Sequence, residues 1–190
     1  MNKPLLSFFV ILLACLPASE ASCQQLDKGL TSDGLSLQLI SARYGDYHVI
    51  DMFLALRNNG ANNYLYNSYT TISRDDKLIF ERVLLAKITV KLKNDAMMSF
   101  DVIEPTNLGR SRPVVLTPRD PRGKPRVEIL GVSTTLSDIL NCIQSQGEKY
   151  NLSDVKGIIV RVPIYEYSSP ELKAVHTYVE SSLIDLKTVK

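Results

Sequence analysis

The sequence has only two histidines and no glycine-rich loop of the kind that holds a phosphate group. None of its nine glycines stands in a G-x-G-x-x-G or P-loop arrangement, so nucleotide binding is unsupported. His48 and His176 are far apart in the sequence and do not form the clustered ligands of a zinc site. No nucleophile elbow accompanies them to support a Ser-His-Asp triad. We therefore expect no metal, no cofactor and no catalytic site.

The chain also lacks a strong charge of either sign. Its formal charge is +2 at pH 7, which argues against nucleic acid as a partner, because proteins of that class carry a strongly basic face. After the N-terminal segment, no apolar run approaches the length of a membrane helix. The 45% hydrophobic and 22% charged residues are typical of a soluble globular domain.

The start of the chain has the features of a secretion signal in the correct order. An apolar run of about a dozen residues follows the positive Lys3. Pro17 ends this run, and a cut after Ala21 leaves the small residues that signal peptidase requires. We therefore expect a signal peptide over residues 1–21 and a single exported domain over residues 22–190, located in a bacterial periplasm.

A lipoprotein signal is a second interpretation of the same segment. The residues from Leu12 to Cys15 resemble the bacterial lipobox, in which the cysteine is lipidated and becomes the new N-terminus. In that alternative the signal covers residues 1–14, and the lipidated Cys15 holds the domain on the periplasmic side of a membrane.

Three cysteines are present, and removal of the signal leaves Cys23 and Cys142. A pair of cysteines in an oxidising compartment predicts one disulfide, here between the mature N-terminus and the body of the domain. The alternative is two separate thiols, with Cys142 buried on a helix.

Apolar and polar residues alternate along several segments, which predicts antiparallel strands with one buried face. Turn-forming pairs such as Asn59-Gly60 separate them, and the spacing predicts seven to nine strands. Pro163 interrupts one pattern and indicates an edge strand or a bulge. The positions in phase are Leu35, Leu37 and Leu39; Ile50, Met52, Leu54 and Leu56; Ile88, Val90 and Leu92; Ile158, Val160, Val162 and Ile164; and Val175, Thr177 and Val179.

Helical spacing occurs in one segment, at about residues 135–146, where apolar residues follow the i, i+3, i+4, i+7 rule. Many short strands with one short helix predict an all-β fold, namely an immunoglobulin-like antiparallel β-sandwich. The segment from Leu35 to Asn58 resembles the opening of immunoglobulin-like extracytoplasmic domains. The chain departs from antibody domains in having no tryptophan.

The most distinctive polar segment runs from Arg110 to Arg126 and contains four prolines. Because proline fixes φ, we expect an extended, exposed arm whose guanidinium groups suit carboxylates and phosphates. The alternative is a long solvated hairpin loop that includes a strand over residues 114–116. The candidate binding residues are Arg110, Arg112, Arg119, Arg122, Lys124 and Arg126.

A second candidate surface is the tyrosine- and asparagine-rich segment from Tyr44 to Tyr69. Binding loops use this mixture because it combines broad contact area with adaptable hydrogen bonds. The candidate contact residues are Tyr64, Tyr66 and Tyr69. Alternatively, Tyr64 and Tyr66 lie on one face of a strand, where aromatic residues are favoured in any case.

These features predict an exported, non-enzymatic binding or assembly protein of the bacterial cell envelope. Its expected partner is another protein with an acidic surface, or alternatively anionic lipid at the membrane face. One specific form is an immunity or inhibitor protein that neutralises a toxin or hydrolase acting in the envelope. The competing hypotheses are a periplasmic hydrolase that uses His176 and a purely structural lipoprotein.

Overall fold

The computed structural model of the chain describes residues 31, 33–66, 69–74, 77–103, 114–119, 122–145, 150–167 and 175–189. For residues 69–74 and 77–83, only the backbone is described. The predicted signal segment, with Cys15, lies outside the described residues. The same holds for Cys23, Arg110 and Arg112. Export, lipidation and the bounds of the mature domain therefore stay predictions.

Ten strands and one α-helix make up the described part of the chain. The strands are β1 (Leu35–Tyr44), β2 (Val49–Asn58), β3 (Tyr64–Tyr66), β4 (Tyr69–Arg74), β5 (Lys77–Leu92), β6 (Met97–Ile103), β7 (Val114–Leu116), β8 (Val127–Thr135), β9 (Val155–Glu166) and β10 (Thr177–Glu180). The helix α1 (Leu136–Gln144) follows β8 directly, and short 3₁₀ turns occupy Asp46–His48, Leu152–Asp154 and Leu186–Thr188. The ten strands of the described part exceed the predicted seven to nine.

The strands form two antiparallel sheets. One has three strands in the order β1-β2-β8, and the other has seven, with the path β4-β5-β9-β3-β7, to which β6 is added at β5 and β10 at β9. The prediction of an all-β sandwich with one short helix is confirmed. The immunoglobulin-like form of this sandwich stays a prediction.

A single apolar core lies between the two sheets, and the alternation predicted from the sequence supplies most of it. The fully or nearly buried core side chains are Leu35, Leu37, Ile50, Met52, Leu54 and Leu56 of the small sheet, and Ile88, Val90, Leu92, Ile158, Val160, Val162, Ile164 and Val179 of the large sheet. Each such side chain contributes about 1.5–3 kcal/mol by leaving water.

The helix α1 begins with a reciprocal cap. The Thr135 hydroxyl accepts a hydrogen bond from the Asp138 N–H at 3.0 Å, and the Asp138 carboxylate accepts one from the Thr135 N–H at 3.0 Å. Ile139 and Ile143 then lie one turn apart on the buried face and enter the core. The predicted helix is confirmed, with slightly shorter bounds than expected.

Pro163 does not lie on an edge strand, so the edge alternative of this prediction was wrong. The other alternative, a bulge in the strand, agrees with a register shift in β9 between Val155 and Gly157, although the shift does not lie at Pro163 itself. Its strand, β9, is internal to the large sheet. The pairing of β9 with β5 ends at Arg161, and its pairing with β3 begins at Tyr165. Pro163 therefore has one strand partner, Tyr178, at a point where a missing N–H is tolerated.

Candidate functional site

The described part of the basic segment is a folded hairpin. Arg119 and Pro125 form an antiparallel bridge, and the Arg126 N–H donates to the Pro118 carbonyl at 3.4 Å. Gly123 reverses the chain with a φ of +75°, in the left-handed region that favours glycine. We call residues 117–119 and 122–126 the basic hairpin. The expectation of an extended arm is wrong for these residues. They form a hairpin, as in the alternative interpretation, because Arg119 pairs with Pro125 across the turn at Gly123.

Cationic side chains cover the outside of the basic hairpin. Arg119, Arg122 and Lys124 are exposed. Arg119 also braces the turn, since its Nη1 donates to the Gly123 carbonyl at 2.8 Å. Arg126 is half-buried and pairs with Glu128 at the start of β8.

Glu128 also receives a hydrogen bond from the Tyr66 hydroxyl at 3.3 Å. Burial, followed by the charge of Glu128, raises the pKa of Tyr66 to about 12. Arg126 and Tyr66 thus both contact the Glu128 carboxylate, and this shared contact connects the end of the basic hairpin to β3.

Two of the three tyrosines predicted to form a recognition surface, Tyr64 and Tyr66, are core residues. Tyr64 and Tyr66 are each only 4% exposed, because both alternate positions of β3 point into the sandwich. The expectation that they form an exposed patch is therefore wrong for these two residues, and their interpretation as strand residues is correct. The side chain of Tyr69 lies outside the described residues, so its role stays a prediction.

Pairing between β3 and β7 brings the two predicted surfaces together. Tyr64 lies opposite Leu116, the residue directly before the basic hairpin. The buried amide of Asn58 strengthens this junction, since its Nδ2 donates to the Asn62 carbonyl at 2.7 Å and to the Leu116 carbonyl at 3.1 Å. The exposed Asn62 and Asn63 therefore lie beside the base of the basic hairpin.

Beside this junction is an open cleft of about 400 Å³, within the usual range for ligand sites. Three separate segments form its walls: the turn before β1, the segment leading into β3, and the facing ends of β9 and β10. The lining residues are Asp33, Asn62, Asn63, Tyr64, Glu166, Tyr167 and His176. We call it the His176 cleft.

His176 lies between two carboxylates in this cleft. Its Nε2 is 3.4 Å from Asp33 Oδ2, and its Nδ1 is 3.2 Å from Glu166 Oε1. The ring also stacks on Tyr64, with 5.9 Å between the ring centroids. Each ring nitrogen therefore faces a carboxylate from a different segment of the chain, and these contacts connect the walls of the cleft.

Two glycines allow Asp33 to reach this position. Gly34 has a φ of +76°, and a Cβ added to Gly60 would lie 2.2 Å from the Asp33 carbonyl oxygen. The Asn59 N–H donates to the Gly34 carbonyl at 2.9 Å across the same contact. A close approach of two backbones, possible only without side chains, therefore sets this wall of the cleft.

Sequence reasoning missed the His176 cleft, because Asp33 and His176 are separated by 143 residues. Only the Tyr/Asn composition near Asn62 pointed toward it. His176 lies directly before β10, and its backbone N–H donates to the Ile164 carbonyl at 2.8 Å.

Cys142 lies half-buried on α1, and burial raises the pKa of its thiol. It forms no disulfide with any described residue. Because Cys23 lies outside the described part of the chain, the Cys23–Cys142 disulfide stays a prediction.

Among the described residues, no group of three or more His, Cys, Asp and Glu side chains is placed to hold a metal ion. No helix in the described part of the chain is long and apolar enough to cross a lipid bilayer.

No family model matches the chain, and no curated protein matches it. Among solved structures, the chain is similar to one described as the X-ray structure of Northeast Structural Genomics Consortium target SoR45. The two are 7% identical, the alignment covers 82% of this chain and 89% of that one, and the TM-score is 0.28. At that score the likeness carries no conclusion about this chain.

Proposed function

We propose that the chain is an exported, non-enzymatic binding or assembly protein of the bacterial cell envelope. The observation that carries the proposal is the pairing of Tyr64 with Leu116, which makes the basic hairpin and the cleft-lining Asn62 and Asn63 neighbours on one surface. Export is supported by the order of charge, apolar run and small residues at the start of the chain.

The partner proposed is another protein with an acidic surface. Arg119, Arg122 and Lys124 are exposed and project from a folded support, so they provide a local positive field that speeds encounter with an acidic surface. Asn62 and Asn63 then supply adaptable hydrogen bonds at close range. An immunity or inhibitor protein that covers an envelope toxin or hydrolase is one specific form of this function.

The test is affinity capture from envelope extract with the domain from Ser22 onward as bait. A second bait carries Arg119→Glu, Arg122→Glu and Lys124→Glu. A matched control bait carries Lys93→Glu, Lys156→Glu and Lys187→Glu, three exposed residues elsewhere on the domain, so that the net charge change is the same.

We expect one protein to be captured by the native and control baits and lost with the hairpin variant. With that protein purified, the association rate of the hairpin variant is expected to fall by about 10-fold or more at low salt and to depend less on salt. Equal capture by all three baits would contradict the role of the basic hairpin. Binding to anionic vesicles in place of any protein would assign the hairpin to the membrane face and overturn the protein partner.

A further inference from the structure

The strand β8 is a sheet edge that lacks most of the features that protect edges from other strands. Among the described residues its one strand neighbour is β2, with which all nine of its residues pair without a register shift. It contains no proline, lysine or arginine, and its one charged residue, Glu128, is engaged by Arg126 and Tyr66. Such regular, uncharged edges readily accept another strand.

The opposite edge of the same sheet is built differently. The strand β1 contains a register shift between Leu39 and Ser41, and it carries the charged Arg43. A bulge and a charge on an edge strand are two of the devices that prevent strand addition. Within the part of the chain that the structure describes, the small sheet therefore has one protected edge and one open edge.

A small groove of about 140 Å³ follows the open edge. Its first wall is the middle of β8, residues 129–132, and its second wall consists of Tyr66 and Leu85 from the large sheet. The volume is close to that of an apolar protein cavity of about 150 Å³ that holds a benzene molecule. It has room for one side chain of an added strand.

The solvent face of β8 also offers apolar contacts. Ile129 is 58% exposed, and Val127 on the same face is exposed as well. The neighbouring Gly131 leaves the side of Phe53 uncovered, since even an added Cβ would lie 4.0 Å from that ring. Alternate side chains of an added strand would therefore contact this face, while the others enter the groove.

Charge at the start of β8 indicates which kind of strand binds there. The basic hairpin leads directly into Val127, so Arg119, Arg122 and Lys124 lie at one end of the open edge. We propose that the β8 edge binds an extended, acidic segment of a protein partner by strand addition. This inference rests on the proposed function and specifies how the partner is held.

The probe is a synthetic peptide of alternating valine and threonine with three aspartates at one end. A second peptide has lysines in place of the aspartates. Binding is measured by the hydrogen exchange of the β8 backbone amides and by the dissociation constant. We expect alternate amides of Val127–Thr135 to become protected by the aspartate peptide, and the lysine peptide to bind at least about tenfold more weakly.

A matched pair of variants locates the site. Ile129→Glu places a negative charge on the open edge, whereas Ile40→Glu places the same charge on β1, at a residue that is 55% exposed. Since both side chains point largely into solvent, both variants are expected to fold. Ile129→Glu is expected to weaken binding of the aspartate peptide by about tenfold or more, because it removes an apolar contact and repels the aspartates, and Ile40→Glu is expected to leave the affinity unchanged.

Any of the following results would overturn the strand addition. The β8 amides could be protected in the protein alone at every concentration, which would mean that the chain covers its own edge. Their protection could instead rise with protein concentration, which would mean that a second copy binds there. Finally, the two variants could bind the peptide equally. If a captured partner is lost with the hairpin variant but binds the Ile129→Glu protein normally, the proposed function stands and the strand addition fails.

Discussion

Replacing Asn58 is expected to destabilise the domain strongly, because this side chain joins three backbone segments while fully buried. Its Nδ2 donates to the carbonyls of Asn62 and Leu116, and its Oδ1 accepts the N–H of Gly60 at 3.0 Å. These bonds connect the end of β2, the loop that lines the His176 cleft, and the strand before the basic hairpin. Its relative exposure is 0%.

The magnitude follows from these three bonds. At a net value of about 1 kcal/mol each, their loss in Asn58→Ala costs about 3 kcal/mol. The buried carbonyl of Leu116 is left without its side-chain donor, which adds about 1 kcal/mol. A total of about 4 kcal/mol is a large part of the 5–15 kcal/mol that is typical of a domain.

Asn58→Asp separates hydrogen bonding from packing, because the two side chains have nearly the same volume. The carboxylate still accepts from Gly60, but it points an oxygen at the two carbonyls that Nδ2 served and is itself buried. We therefore expect Asn58→Asp to be at least as destabilising as Asn58→Ala.

Urea unfolding followed by circular dichroism measures both variants, with unchanged m-values required for the comparison. The control is Asn59→Ala, at the exposed neighbouring position, which we expect to change the free energy of unfolding by less than about 0.5 kcal/mol. If Asn58→Asp were as stable as the native protein, the hydrogen-bond argument for the junction would be refuted.

Two further predictions concern glycine and tyrosine. A Cβ at position 157 would lie 2.5 Å from the Ile184 carbonyl oxygen, whereas one at position 123 meets no atom within 4 Å. We therefore expect Gly157→Ala to lower the free energy of unfolding by about 3 kcal/mol, and Gly123→Ala to lower it only by the roughly 1–2 kcal/mol that a left-handed backbone costs. If urea unfolding showed Gly123→Ala to be the more destabilising variant, this reasoning would be contradicted. Burial raises the pKa of Tyr66 and Tyr165 to about 12, above the ordinary value of 10.0. The stabilisation by these two protonated tyrosines is therefore fully present below pH 10 and is lost as the pH rises toward 12. Free energies of unfolding measured against pH, together with tyrosinate absorbance, test this prediction. Titration of all nine tyrosines near pH 10 in the folded protein would contradict the raised pKa values.

Local patterns were enough to predict the elements whose burial repeats along the chain. In β2, every second residue from Ile50 to Leu56 is buried, as the period of two requires. The helix α1 was recognisable because Thr135 and Asp138 cap it and its apolar residues share one face. Two sheets around one core then follow from the number of one-sided strands.

Local patterns failed where a residue's surroundings depend on a distant strand. Tyr64 and Tyr66 belong to a segment whose composition is typical of a binding loop, yet pairing of β3 with β7 and β9 buries both side chains. The prolines of the basic hairpin indicated an extended arm, but the bridge between Arg119 and Pro125 closes it. Proline limits one dihedral angle of its own residue, whereas a closed hairpin depends on all the turn residues together.

The amino-acid sequence by itself determined the strands, the helix, the one-sided burial and the presence of a basic segment, because each of these depends on residues close in the chain. Only the tertiary structure decided that Asp33, Glu166 and His176 share a cleft, that Asn62 lies beside the basic hairpin, and that β8 forms an open edge. These features depend on which strands become neighbours and in what register. That choice is made by the packing of the whole core, so no local pattern of residues contains it.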